Sequence, residues 1–441
     1  MLTECIFVFV SNLNLDILYQ FDFLPINERQ KKQEDLLFQQ VKYTIQSSSF
    51  YKKYWKEFDL HASNWLEVFK SMPITYKQDI QKENNAFIAV PISEIREITS
   101  TSGTEGTPIY IYQSKNDLNR LAKNEALSFK KMELGRNPKI QLMLTLDKLF
   151  MAGMAYYQGG QNIEACMLRS GPGQSFKQVN LLKQFRPEAI VAVPSFLLYL
   201  LENHNIADYY QEFPLKVLAI GENLKDGFGN NLPLLNYLKK HDFIELFSTY
   251  ASTEMQTAFT DCKMHNGSHQ HAALIYIECL DENGEEVNDG EIGELVITPL
   301  GIEGFPLLRY ATGDMVKLDK EICSCGRTSP RIRSVVYRKN QRLKIKGTTL
   351  FPQDIDPIFQ SFNAAQYYYI KIFTNNYGLD DFKIYLDAKY FNEKLQKQIT
   401  ERLQHILKLK PEVIIQNTVD FHKNLYKNDS RKPLKIQDYR K

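Results

Sequence analysis

The sequence predicts an α/β fold, and three observations lead there. From about residue 95, short apolar runs alternate with stretches of helical periodicity. That alternation marks strands joined by crossover helices. The chain has 441 residues, 43% of them hydrophobic and 24% charged. At roughly 150 residues per domain this allows two or three domains, with a core that needs no disulfide or metal merely to fold.

The elements follow in order. Residues 1–90 read as mainly helical and polar. In Glu34–Thr44 the apolar positions Leu36, Leu37 and Val41 recur at near-helical spacing, and Ser47–Ser49 breaks the helix. The aromatics of Phe50–Trp55 are expected to pack on the core. The apolar run Ile6–Val10 is too short for a signal segment and lacks a basic leader, so it reads as a buried strand or helix start. Ile109–Tyr112 is strand-like. Ile140–Leu146, Ala189–Val193, Val217–Ile220 and Phe243–Phe247 are predicted strands, with Leu118–Met132 and Phe176–Phe185 as helices between them. Ala273–Leu280 and Glu294–Thr298 alternate like antiparallel strands, with turn chemistry at Asp281–Gly284 and Asn288–Gly290. Composition shifts near Tyr337–Gln341, where a domain boundary is expected.

Formal net charge is +2, spread along the chain. No basic stripe points to nucleic acid, and no polybasic cluster or run of about 18 apolar residues points to a membrane. Six cysteines in a chain this long do not suggest a disulfide framework. A cytoplasmic protein is expected, with Cys5, Cys166 and Cys279 as small buried apolar residues. Oligomeric state is not fixed, a homodimer being one arrangement the sequence allows.

The segment Ser100–Pro108 carries two glycines and five hydroxyl side chains. Glycines let a backbone approach a phosphate and aim successive N–H groups at it. An ordinary polar turn fits the residues alone equally well, and no Gly-Lys-Ser/Thr ending makes it a Walker loop. Other segments repeat the pattern of small and acidic residues beside apolar runs. They are Gly221-Glu222 after Val217–Ile220, Tyr250-Ala251-Ser252-Thr253-Glu254 after Phe243–Phe247, and Pro306-Leu307-Leu308-Arg309-Tyr310-Ala311-Thr312-Gly313-Asp314.

Taken in order, these segments resemble the motifs of the acyl-adenylate-forming superfamily, and in particular the phenylacetate–CoA ligase family. The resemblance runs from about residue 35 to the end. It implies a large N-terminal adenylate-forming domain of α/β sheets over residues 1–337 and a small mobile α+β C-terminal domain over 338–441. It further implies that Ser102, Gly103, Thr104 and Gly106 bind phosphates, with Thr104 also catalytic. Gly221 and Glu222 would flank the adenine and Tyr250 would stack on it. Ala251, Ser252 and Thr253 would bind the nucleotide, Thr253 at the α-phosphate; Glu254 would be catalytic by holding Mg²⁺, and Asp314 and Arg338 would hold the ribose. Asn340 falls on the hinge. Lys344, Lys346 and Gly347 fall on the loop that faces coenzyme A. Arg431-Lys432-Pro433 through Arg440 resembles the C-terminal motif, which makes Lys432 the adenylation lysine. The sequence departs from the family pattern at Glu105, Thr107, Ala251, Ala311, Asn340 and Arg431.

Cys262, His269, Cys323 and Cys325 make a donor set of the kind that closes a tetrahedral zinc site. Many relatives share the spacing, which implies a structural Zn²⁺; His265 and His271 compete with His269 for the fourth place. The acid pocket is expected around Tyr156, Tyr157, Pro194 and Phe196, whose rings suit an aryl acid. The implied activity is ATP- and Mg²⁺-dependent ligation of a carboxylic acid to coenzyme A through an acyl-adenylate. An adenylating enzyme that loads a carrier protein and a non-catalytic nucleotide-binding protein are the alternatives.

Overall fold

A computed structural model describes residues 13–59, 62–101, 108–210, 213–225 and 229–339. Beyond these it describes 343–345, 348–350, 355, 358–359, 362, 367–374, 380–407, 411–426 and 433–439. The chain divides into two compact units. The first comprises 1–103, 107–224 and 238–335; the second comprises 104–106, 225–237 and 336–441.

The first unit opens with helices α1 (Leu15–Phe21), α2 (Ile26–Ser47), α3 (Ser49–Tyr54), α4 (Trp65–Ser71) and α5 (Lys77–Glu83). Asn14 caps α1 by accepting from the Ile17 amide. Leu36, Leu37 and Val41 face the core from α2, and Phe50, Tyr51 and Trp55 join them from α3 and its end. A small hairpin, β1 (Ile95–Ser100) with β2 (Tyr110–Ser114), follows. Helix α6 (Lys115–Lys131) starts in a capping box between Ser114 and Asp117.

The main sheet then builds through β3 (Lys139–Leu142), α7 (Met151–Asn162), β4 (Cys166–Arg169), α8 (Ser175–Phe185), β5 (Ala189–Ala192), α9 (Pro194–Asn203), β6 (Leu215–Ala219), α10 (Pro233–Leu238) and β7 (Ile244–Ser252). Strands β4-β3-β5-β6-β7 are parallel. Their order reverses between β3 and β5, so the crevice at their C-terminal ends is where an open α/β sheet binds ligands. Beyond β7 the sheet turns antiparallel with β8 (Thr257–Asp261), β9 (Ser268–His269), β10 (Ile275–Leu280), β11 (Ile292–Pro299), β12 (Tyr310–Asp319) and β13 (Arg331–Arg338). Among the described residues its order is β10-β11-β12-β13-β9-β8-β7-β6-β5-β3-β4. No described helix is long and apolar enough to cross a membrane.

The second unit contains β14 (Leu343–Ile345), β15 (Thr348–Leu350), β16 (Tyr368–Thr374), β17 (Asp380–Asp387), α11 (Glu393–Leu407), β18 (Glu412–Gln416), α12 (Thr418–Leu425) and β19 (Ile436–Asp438). Its larger sheet is ordered β18-β17-β16-β19. Ile370, Ile372, Ile384 and Leu386 meet Ile399 and Leu403 in one core, and Tyr369 meets Phe421 and Leu425 in another. Alternating strand positions thus feed opposite faces.

Some expectations shift in detail. The strand predicted at Ile140–Leu146 ends at Leu142, the last residue paired with β5, where the Met143 amide makes the final ladder bond to the Val191 carbonyl. Phe243–Phe247 is the start of a longer strand. Cys166 is exposed rather than buried, since it opens the edge strand β4. Ile6–Val10 and Cys5 lie outside the described residues.

Candidate functional site

Of the predicted site residues of the first unit, Gly221 and Glu222 follow the C-terminal end of β6, Tyr250–Glu254 lie at and beyond the end of β7, and Asp314 lies within the antiparallel strand β12. Gly221 follows β6 with φ +79°, and a Cβ added there would meet nothing within 4 Å. The space beside it is open, but the left-handed backbone favours glycine. Next to it, both Glu222 oxygens are engaged by Ser195: Oε2 accepts from its amide at 2.9 Å and Oε1 from its hydroxyl at 2.7 Å. Val193, at the N-cap of α9, offers no side-chain acceptor. Glu222 therefore serves as a cap from the neighbouring loop and places its charge at the positive end of the helix.

Two tyrosine–carboxylate pairs cross between β7 and β12. The Tyr250 hydroxyl donates to Asp314 Oδ2 at 2.7 Å, and the Tyr310 hydroxyl donates to Glu254 Oε1 at 3.3 Å. Asp314 is 4% exposed and Glu254 9%. The Asp314 amide donates to Thr312 Oγ1 at 3.1 Å, and Gly313 has φ +74°, which bends the strand beside the Asp314 carboxylate. Ala251 is exposed, while Ser252 and Thr253 are half-buried. In the turn after them, Met255 donates to Ser252 Oγ and Gln256 to the Thr253 carbonyl.

Residues with no motif signal shape that turn. Arg120, 1% exposed on α6, gives Nη1 to the Gln256 carbonyl at 2.7 Å and Nη2 to Thr257 Oγ1 at 3.0 Å. It also donates to the Leu300 and Leu274 carbonyls. Burial holds its pKa down to about 10. Apart from that turn, Arg309, which does lie in a motif, pairs with Glu278 at 3.0 Å in the protein interior. A lone arginine on a helix gives no sequence sign of such a role. Tyr310 did lie inside a motif, although the motif gave it no partner.

The expected acid-pocket residues occupy separate environments. Tyr156 is 2% exposed and sits in the core with Phe129 and Phe247. Burial and the Glu125 carboxylate push its phenol well above the usual range. Tyr157 is half-buried against the same cluster, and Arg169 covers its ring at 5.2 Å. Pro194 is buried as the first residue of α9. Phe196 stacks with Tyr199 and lines an open cavity of about 670 Å³ with Gly173, Gln174 and Phe176. The two tyrosines thus meet one hydrophobic cluster, Tyr156 fully within it and Tyr157 at its margin.

Cys262, His269, Cys323 and Cys325 bring their donor atoms within 4.8 Å of one another. Cys262 Sγ is 3.9 Å from Cys323 Sγ, and Cys325 Sγ is 3.7 Å from His269 Nε2. Bonds of about 2.3 Å to sulfur put tetrahedral S–S edges near ~3.8 Å, so this set fits zinc. His269 Nδ1 lies 3.3 Å from the Ser329 carbonyl, which leaves Nε2 facing the thiols. Hydrogen bonds from the Cys262 thiol, from His269 and from Arg327 hold the Cys325 thiol well below the usual thiol range. The competing imidazoles point elsewhere: His265 toward Glu245 at 3.9 Å and His271 toward Asp22 at 3.7 Å.

In the second unit Arg338 is exposed at the end of β13, and Lys344 lies in β14. Ser102, Gly103, Thr104, Glu105, Gly106, Thr107, Asn340, Lys346, Gly347, Arg431 and Lys432 lie outside the described residues.

No family model matches the chain. It is 26% identical to the phenylacetate–coenzyme A ligase of Thermus thermophilus over 401 residues, covering 87% of each chain. It is 24% identical to the Escherichia coli phenylacetate–coenzyme A ligase over 428 residues, covering 90% of this chain and 92% of that one. In fold it is similar to a 2-hydroxyisobutyryl-CoA ligase solved in the postadenylation state with 2-HIB-AMP. The TM-score there is 0.77 at 21% identity, covering 95% of this chain and 91% of the other.

Proposed function

This chain is related to the phenylacetate–coenzyme A ligases of the acyl-adenylate-forming superfamily, and on that premise we infer that it is an AMP-forming carboxylate–CoA ligase working through an acyl-adenylate. The supporting observation is the crossed arrangement of Tyr250–Asp314 and Tyr310–Glu254, which joins two motif segments that lie far apart in the chain.

In the first half-reaction the acid's carboxylate oxygen attacks the α-phosphorus of ATP, the bond to the bridging oxygen breaks, and pyrophosphate leaves. The Lys432 ammonium neutralises charge where it builds in that transition state. Asp314 accepts from the ribose hydroxyls and Tyr250 lies along the adenine. Glu254 holds the Mg²⁺ of the nucleotide, a cation that spreads the charge of the phosphate oxygens. In the second half-reaction the CoA thiol, losing its proton, attacks the acyl carbon, and AMP leaves. Residues 338–441 act as a mobile domain that hinges at Asn340, presents Lys432 for the first step and Lys344–Gly347 for the second. Cys262, His269, Cys323 and Cys325 would hold a structural Zn²⁺, whose part would be to tie the loops together and not to take part in the chemistry.

The acid is an aryl acid of the phenylacetate type, the substrate class in the names of the sequence relatives. The test is pyrophosphate release across a panel of aromatic and aliphatic acids, followed by addition of CoA. Release with arylacetates and conversion to thioester are expected. An adenylate that CoA never discharges would point to a carrier protein as acceptor, and no release with any acid would point to a nucleotide-binding protein.

A further inference from the structure

Tyr310 is fixed more firmly than a tyrosine that merely fills space. Its two chain neighbours are tied to Thr75: the Thr75 amide donates to the Arg309 carbonyl at 2.9 Å, and the Ala311 amide donates to the Thr75 carbonyl at 2.9 Å. Arg309 has a left-handed backbone at φ +46°, a conformation that costs a non-glycine residue energy and persists where surrounding bonds impose it. Those bonds are present. The Arg309 amide donates to Thr298 Oγ1 at 2.9 Å, and its guanidinium pairs with Glu278 through Nη2 at 3.0 Å and Nε at 3.2 Å. Nη1 reaches the Met72 carbonyl.

Across from it, the turn bearing Glu254 is held independently by Arg120 and by Gln256, whose Nε2 donates to the Phe305 carbonyl at 3.1 Å. Two rigid supports therefore meet at one contact, Tyr310 Oη to Glu254 Oε1. A carboxylate accepts through both oxygens. Occupation of Oε1 by the phenol sets the plane of the group and directs Oε2 for another ligand.

We propose that Tyr310 is a positioning residue for Glu254, orienting its carboxylate so that the second oxygen takes the divalent cation of the nucleotide. This rests on the reading of Glu254 given above. Partners of this kind around a metal-binding carboxylate change metal affinity when removed.

The test is Tyr310→Phe, which keeps the ring and deletes the hydroxyl. Free Mg²⁺ needed for half-maximal pyrophosphate release should rise about tenfold, with a much smaller change in kcat at saturating Mg²⁺. Thioester formation from pre-formed acyl-AMP should not change. Mn²⁺ affinity in the presence of ATP, read by electron paramagnetic resonance, should fall in parallel. Equal Mn²⁺ affinity in the variant and the parent overturns the proposal. That readout requires no turnover, so it separates this failure from failure of the ligase reading, which is decided by pyrophosphate and thioester formation in the parent. Should Tyr310→Phe melt early, Glu278→Gln serves as a second variant, loosening Arg309 from a distance. A shift in melting temperature without a shift in Mn²⁺ affinity then also counts against the proposal.

Discussion

Tyr250 on β7 donates its phenolic hydrogen bond to Asp314 on β12 at 2.7 Å, across the strands that carry two separate motifs. A short bond to an ionised acceptor is stronger than one between neutral groups. It fixes the carboxylate rotamer before any ribose arrives. Tyr250→Phe should therefore raise KM for ATP about tenfold while changing kcat far less, because the loss is in binding rather than in the charge of the transition state. Asp314→Asn should raise it further. Initial-rate kinetics with ATP as the varied substrate decide the matter, and an unchanged KM in Tyr250→Phe would remove Tyr250 from the nucleotide site.

Lys432 should separate the two half-reactions. On the proposed mechanism Lys432→Ala removes the ammonium assigned to the developing negative charge, and losses of 100-fold or more in pyrophosphate release are of the order expected for one such donor. Thioester formation from synthetic acyl-AMP and CoA should remain near the parent rate. Equal loss in both steps would sink the assigned role.

Much of this was legible in the sequence because strand ends and motif residues are local features. The apolar run before Gly221 marks where β6 ends, while the run before Tyr250 marks only the start of β7, which continues to Ser252. The helical period of α7 was harder to use. Adjacent tyrosines 156 and 157 look alike in sequence, yet one is fully buried against Phe129 and the other only half-buried at the margin of the same cluster, under Arg169. Partners far apart in the chain left no sign at all. The link from Arg120 to the turn after Glu254 spans 136 residues to Gln256. The Arg309–Glu278 pair depends on β10 and the start of β12 both flanking β11.

Removing metal should loosen the N-terminal helix as well as the cysteine cluster. Arg327 donates to Cys325 Sγ at 3.4 Å and lies over the rings of Tyr19 and Phe23 at 5.1 and 4.6 Å. Thr328 donates to the carbonyls of Asp22 and Leu24. The segment around α1 thus rests on the loop that carries two of the four donors. Chelation should lower protection of amides 15–24 from hydrogen exchange, and Zn²⁺ should restore it. Stoichiometric zinc by mass spectrometry is expected in the protein as purified. Unchanged exchange after complete removal of the metal would mean that the helix is held without it.

Glu125 should make stability fall as pH rises. Its carboxyl is 4% exposed, and Asn124 Nδ2 donates to Oε1 at 3.0 Å. A Cβ added at Gly159 would lie 2.6 Å from Glu125 Cβ, so α7 packs directly on it. Burial pushes its pKa up to about 7 from 4.5. Below pH 4.5 the group is protonated in both folded and unfolded chains and contributes no slope. Between 4.5 and 7 the unfolded chain releases its proton first, so unfolding becomes easier by up to about 1.4 kcal/mol per pH unit. Above 7 both forms are ionised and the effect levels off after a total of about 3 kcal/mol. Glu125→Gln carries no such proton and keeps an acceptor for Asn124. The difference in urea-unfolding free energy between variant and parent should therefore grow in the variant's favour from pH 5 to pH 8. A difference that stays constant over that range would show that Glu125 ionises at the same pH in both states.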